Sequence, residues 1–123
     1  MRPGPLSGRL ILIVEDEPLI ALDIIKELRA AGARVLSAGY MEFGLYTTDH
    51  PELSAAVVDL HLRDGSGTEI CRRLQHRKIP FIVYTGYPGM LVTGHWPDVP
   101  VISKPAHPGQ IICELERVLL PNP

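Results

Sequence analysis

The chain has few of the features that would force a special class on it. Its 123 residues hold only two cysteines, Cys71 and Cys113, in helix-like stretches, so no disulfide framework is built and reduced thiols of a cytoplasmic protein are the simpler expectation. No apolar run is long enough to cross a bilayer, and Met1-Arg2-Pro3-Gly4-Pro5 lacks the apolar core of a signal peptide. No membrane partner is therefore expected. The formal net charge is only -2, which gives no electrostatic reason to expect nucleic acid or an acidic membrane surface. Internal repeats and low-complexity segments are absent too. Aromatics are scarce, at 6%, and Tyr40, Tyr46 and Trp96 read as packing or interface residues, not as a cofactor box.

What remains is an ordinary globular composition, 46% hydrophobic and 21% charged, in a chain that suits one compact domain. Residues 1–7 read as a loose tail, 8–121 as the domain, and no output domain is expected to follow.

Leu10-Ile11-Leu12-Ile13-Val14 is a continuous apolar run, the pattern of a strand covered on both faces. It ends in Glu15-Asp16-Glu17, and Pro18 suits the first turn of a helix, where its missing N–H costs nothing. Ile20, Ile24 and Leu28, with Ala21 and Ile25, share one helical face, and Gly32 ends that helix. Residues 33–38 read as a less apolar, edge-type strand. Residues 40–49 read as a poor helix, given Gly44, Thr47 and Thr48.

Residues 53–59 form the next strand, delivering Asp59 at the start of a Gly-containing turn. Ser66-Gly67-Thr68-Glu69 has capping-box spacing and opens a helix to about residue 75. Residues 79–84 and 99–103 are further strands, ended by Thr85-Gly86 and by Lys104-Pro105. Between them, residues 87–98 carry Pro88, Gly89, Gly94 and Pro97, so any helix there is short. The last helix places Ile111, Ile112, Leu115, Val118 and Leu119 on one face. Strand and helix thus alternate five times, which predicts a five-stranded parallel sheet with helices on both faces; flavodoxin-like order 2-1-3-4-5 is the commonest solution. Helices on opposite faces would keep Cys71 and Cys113 apart.

A parallel sheet puts all strand ends of one sense on one edge, so Glu15, Asp16, Asp59, Thr85 and Lys104 can converge. Crowded carboxylates repel, and a hard divalent cation resolves this; Mg²⁺ favours one or two carboxylates together with waters and phosphate oxygens. A lysine and a threonine hydroxyl beside such a site suit a phosphoryl group. The chemistry this predicts is phosphoryl transfer to a carboxylate. Taken singly, each acid could be no more than a helix N-terminal charge, Thr85 a strand-end hydroxyl, Lys104 a surface charge and Asp64 a turn residue. His50, His76, His95 and His107 have no ligand spacing.

The set Val14-Glu15-Asp16-Glu17-Pro18, Asp59-Leu60-His61-Leu62-Arg63-Asp64-Gly65-Ser66-Gly67, Thr85-Gly86 and Lys104-Pro105 resembles the receiver domain of two-component response regulators, over residues 8–120. The resemblance implies that Asp59 accepts a phosphoryl group from a histidine kinase or a histidine phosphotransfer protein. It implies that Asp16, Asp59 and the backbone carbonyl of His61 bind Mg²⁺, with Glu15 acting through water. Thr85 and Lys104 would bind the phosphoryl oxygens, Gly86 would leave room for them, and a cis bond would precede Pro105. His61 and Tyr87 would flank the site and modulate the phosphoryl lifetime.

Pro80-Phe81-Ile82-Val83-Tyr84-Thr85-Gly86-Tyr87 is similar to the motif of the Phe-Ala-Thr-Gly-(Tyr) receivers, which are often stand-alone and linked to HWE-type sensor kinases. Here Val83-Tyr84 replaces Phe-Ala. Many receivers carry an aromatic switch residue three positions before the lysine; here it is Val101, and Ala106 stands where Phe often follows Lys-Pro. The segment 87–98 is the candidate moving element instead. The family's usual interaction face would here include Trp96, Val101 and Cys113.

The function expected is a phosphoacceptor switch that signals through an unknown downstream protein or acts as a phosphate sink, and it is not a turnover enzyme. A pseudo-receiver binding module is the main alternative, although such domains usually lose an acid, the threonine or the lysine. A haloacid dehalogenase-type phosphohydrolase would show an acid two residues after its nucleophile, where this chain has His61.

Overall fold

The computed structural model describes residues 4–62, 64–86, 96 and 98–120. Tyr87 and most of the 87–98 segment, whose mobility was expected, lie outside the described residues.

Five strands, β1 (Leu10–Val14), β2 (Arg34–Ala38), β3 (Ala55–Val58), β6 (Phe81–Thr85) and β7 (Val101–Ser103), form one parallel sheet in the order β2-β1-β3-β6-β7. This is the flavodoxin-like order expected. A small antiparallel ladder of β4 (His61–Leu62) and β5 (Gly65–Ser66) was not expected; it folds the turn after Asp59 into a hairpin. The helices are α1 (Pro18–Ala30), α2 (Met41–Thr47), α3 (Thr68–His76) and α4 (Gln110–Leu119).

Alternation along each strand divides the core in two, because successive side chains leave a strand on opposite faces. Leu10, Leu12, Val14, Ala56, Val58, Phe81 and Val83 pack with Ile70, Cys71 and Leu74 of α3. Ile11, Ile13, Ala55, Val57, Ile82 and Tyr84 pack with Ile24 and Leu28 of α1 and Ile111 and Leu115 of α4. Burial on both faces explains why β1 and β3 read as unbroken apolar runs. Cys71 and Cys113 are both free and belong to helices on opposite faces.

Several expectations need correction. The loose tail does not extend over residues 4–7: Leu6 is fully buried in the α1/α4-side core, and its N–H donates to Ala31 O at 2.9 Å. The apolar side chain is isolated among Pro, Gly and Ser, so no periodicity betrayed it. The capping box at Ser66 does not form either. Gly67 is the N-cap of α3, and Ser66 Oγ instead accepts from the Thr68 N–H at 3.1 Å.

Trp96 is buried, edge-on to Phe81 with centroids 5.9 Å apart, and its indole N–H donates to Gln75 Oε1. It is a packing residue and does not belong to an exposed interaction face. Tyr40 and Tyr46 are exposed, as interface residues would be.

α2 exists despite its poor formers because tertiary contacts hold it. Asp64, across the hairpin, accepts the Met41 N–H at 2.8 Å and so caps the helix from a distant part of the chain. Gly44 lets α2 approach α3: a Cβ there would stand 2.6 Å from Ile70 Cδ1.

Two outcomes test this packing. Leu6→Ala should cost about 2–4 kcal/mol in urea unfolding, as for other fully buried leucines, whereas a loose tail would give no change. Burial pushes the Cys71 thiol up to about 12, so iodoacetamide under native, mildly alkaline conditions should label Cys113 and spare Cys71, read by peptide mass.

Candidate functional site

The carboxyl edge of the sheet assembles the expected residues because backbone pairing continues one residue beyond the strands. The Glu15 N–H donates to Ala38 O (3.0 Å), that of Asp59 to Val14 O (2.9 Å), and that of Lys104 to Thr85 O (2.9 Å). With β3 paired to β6, these strand ends are held in one row before any side chain interacts.

Lys104 Nζ lies between two acids, 2.5 Å from Glu15 Oε1 and 3.0 Å from Asp59 Oδ2. Asp59 Oδ1 accepts the His61 N–H at 3.1 Å, and Glu15 Oε2 accepts the Glu17 N–H at 3.1 Å. Glu15, Asp59 and Thr85 are buried, Asp16 and Lys104 are partly exposed, and Gly86 is exposed.

Burial raises the Glu15 carboxyl above its usual range, against the opposing pull of Lys104 and the Glu17 N–H. For Lys104, burial alone would lower the ammonium. Its bonds to Glu15 and Asp59 outweigh that and leave it raised, so it is charged at neutral pH.

Glu15, Asp16 and Asp59 each offer a carboxylate oxygen, all within 4.8 Å of one another. This all-oxygen set suits a hard cation. Glu15 Oε1 is buried, and Lys104 Nζ stands against it as its charge partner. The donor set therefore fits Mg²⁺, with Lys104 as the charge that balances the acids in its absence.

Gly67 belongs to the site's scaffold, which no local signal in the sequence marks. Its N–H donates to Leu60 O at 3.0 Å, and a Cβ there would stand 2.2 Å from Asp59 O. Only glycine lets the start of α3 approach the Asp59 backbone this closely. At Gly86, by contrast, a Cβ would meet none of the described atoms within 4 Å. The His61 side chain is exposed, and the Lys104–Pro105 bond is cis.

No protein-family model matches the chain. Among curated proteins it is similar to the phyllosphere-induced regulator PhyR of Methylorubrum extorquens, at 29% identity over 114 residues, covering 89% of this chain and 43% of that protein. Among solved structures it superimposes on the non-phosphorylated HemR receiver domain of Leptospira biflexa with a TM-score of 0.81 and 26% identity, over 94% of this chain and 98% of that one. A variant of the anti-anti-sigma factor PhyR of Bartonella quintana gives a TM-score of 0.80 and 27% identity, over 93% of this chain and 49% of that one. The chain spans less than half the length of either PhyR protein.

Fold and relatives together define a class, the regulatory α/β domain with an acidic carboxyl edge. Within it, the chain is a receiver domain of the response-regulator type found in two-component signalling.

Glu15 offers a direct test of the acidic edge. A raised carboxyl favours the fold below its ordinary value of 4.5, and that contribution is lost as pH rises through the higher folded-state value. At neutral pH the ionised Glu15 is therefore a burden on the metal-free fold. Glu15→Gln should melt no lower than the parent without Mg²⁺ and show a smaller Mg²⁺-induced rise in Tm. A lower metal-free Tm would contradict this account.

Proposed function

We propose that the domain is a phosphoacceptor switch, in which Asp59 takes a phosphoryl group from a histidine kinase or a histidine phosphotransfer protein. The observation that carries this reading is the contact of Lys104 Nζ with both Asp59 and Glu15 at the edge where three carboxylates meet. In this reading Asp59 is the carboxylate nucleophile, Lys104 an adjacent ammonium and the three acids a hard-metal donor set, and no general base is needed.

In the reaction, an Asp59 carboxylate oxygen forms a bond to phosphorus while the bond from phosphorus to the donor's leaving atom breaks, and the leaving group departs with that electron pair. An acyl phosphate results. Mg²⁺, held by Asp16 and Asp59 with the His61 carbonyl and with Glu15 through water, would supply charge neutralisation for the phosphoryl oxygens.

The chain's own residues do the rest. Asp59 Oδ1 is oriented by the His61 N–H and Oδ2 by Lys104. As negative charge builds on the phosphoryl group, Lys104 exchanges a carboxylate for a phosphoryl oxygen. Thr85 supplies a hydroxyl at the end of the neighbouring strand, and Gly86 leaves space. His61 and Tyr87 would shield the product from water.

Output through a partner protein follows from the same reading. Sigma-factor regulation, suggested by the name of the Bartonella relative, is one form it could take here. The stand-alone Phe-Ala-Thr-Gly-(Tyr) subgroup and an HWE-type kinase are the corresponding proposal for the input.

Intact mass after incubation with acetyl phosphate tests the function. One phosphoryl adduct should form with Mg²⁺, and none should form without it or in Asp59→Asn. A wild-type chain that stays unmodified both with acetyl phosphate and with a panel of phosphorylated histidine donors would favour the binding-module alternative.

A further inference from the structure

Tyr84 is a departure that the proposed chemistry does not use. The subgroup motif has alanine immediately before the threonine, and this chain has a tyrosine there whose side chain is 7% exposed. Its ring lies beneath the Lys104 ammonium, 5.5 Å from centroid to Nζ, within the range of a cation–π contact. Its hydroxyl oxygen accepts the Ala106 N–H at 3.0 Å. The next residue on the strand, Thr85, accepts the Lys104 N–H through its carbonyl at 2.9 Å. Two consecutive residues of β6 therefore hold the backbone at Lys104 and two residues beyond it, and the ring supports the head group between.

We propose that Tyr84 is a positioning residue for phosphoryl transfer, which holds Lys104 over Asp59 while the ammonium changes partners. The inference rests on the phosphoacceptor reading of Asp59. A lysine has a long flexible stem and a compact point charge, so its aim depends on what surrounds it. Its ion pairs with Glu15 and Asp59 cannot provide that aim throughout the reaction, because at least one must yield to a phosphoryl oxygen. The face of an aromatic ring makes no such exchange. It attracts the ammonium equally whether the oxygen opposite belongs to a carboxylate or to phosphorus. Val101, 36% exposed on β7, offers no ring for this purpose.

Tyr84 also fills the α1/α4-side core, so a purely structural role must be separated from a positioning one. Substitutions of equal shape do this. Tyr84→Phe removes only the hydroxyl, and the same position filled with pentafluorophenylalanine keeps the shape but reverses the ring quadrupole. Each protein would be phosphorylated with acetyl phosphate over a range of donor concentrations and followed by intact mass. The Lys104 ε-methylene and Ala106 amide resonances would be recorded without donor.

Tyr84→Phe should shift the Ala106 amide and leave the Lys104 ε signals in place. The fluorinated ring should move the Lys104 ε signals and lower the maximal phosphorylation rate about fivefold below Tyr84→Phe, with the half-saturating donor concentration unchanged. Equal rates for the two rings would overturn the proposal, as would unmoved Lys104 signals. If the wild type itself takes no phosphoryl group, the phosphoacceptor reading fails separately; the Lys104 signals then decide alone whether the ring holds the lysine.

Discussion

Everything at the carboxyl edge depends on one ammonium group. Lys104 Nζ sits between Glu15 and Asp59, two buried acids brought together by the pairing of their strands. Without a positive charge there, burial and mutual repulsion would force a proton onto one of them. The lysine is itself partly buried, and would be the less stable for it if the two carboxylates were not present. The charge states of the three groups are therefore linked. A positive charge brought to this edge would meet the same carboxylates that now hold Lys104.

The scaffold holds these groups in place from below. Strand pairing, continued by backbone bonds beyond the strand ends, fixes Glu15, Asp59 and Lys104 relative to one another. Gly67 allows α3 to begin against the Asp59 carbonyl, and the hairpin that follows Asp59 reaches across to cap α2 through Asp64. The Asp59 loop is thus attached to a short helix that carries exposed Tyr46 and Phe43, stacked with centroids 6.1 Å apart.

The elements most legible in the sequence were those whose pattern is set by burial alone. β1 and β3 are covered on both faces and read as apolar runs; α1 and α4 are covered on one and read with helical period. Less legible was whatever depended on a distant partner. α2 has weak intrinsic propensity and is held by Asp64 and by close approach to α3. The capping-box spacing at Ser66 was a local signal overridden when Gly67 took the N-cap position against Asp59. Leu6 reads as part of a tail because one apolar residue has no period, yet it closes the end of a core.

For the site, the sequence by itself determined the inventory and the side of the sheet: acids after β1 and β3, Thr85 at the end of β6 and Lys104 after β7, because parallel strands share one carboxyl edge. Only the tertiary structure decided who touches whom. Register set Lys104 between Glu15 and Asp59, and packing put the Tyr84 ring beneath it. The physical reason is range. Periodicity and turn chemistry act over a few residues and are written locally, whereas an ion pair between residues 15 and 104 exists only after the sheet has brought its strands into line.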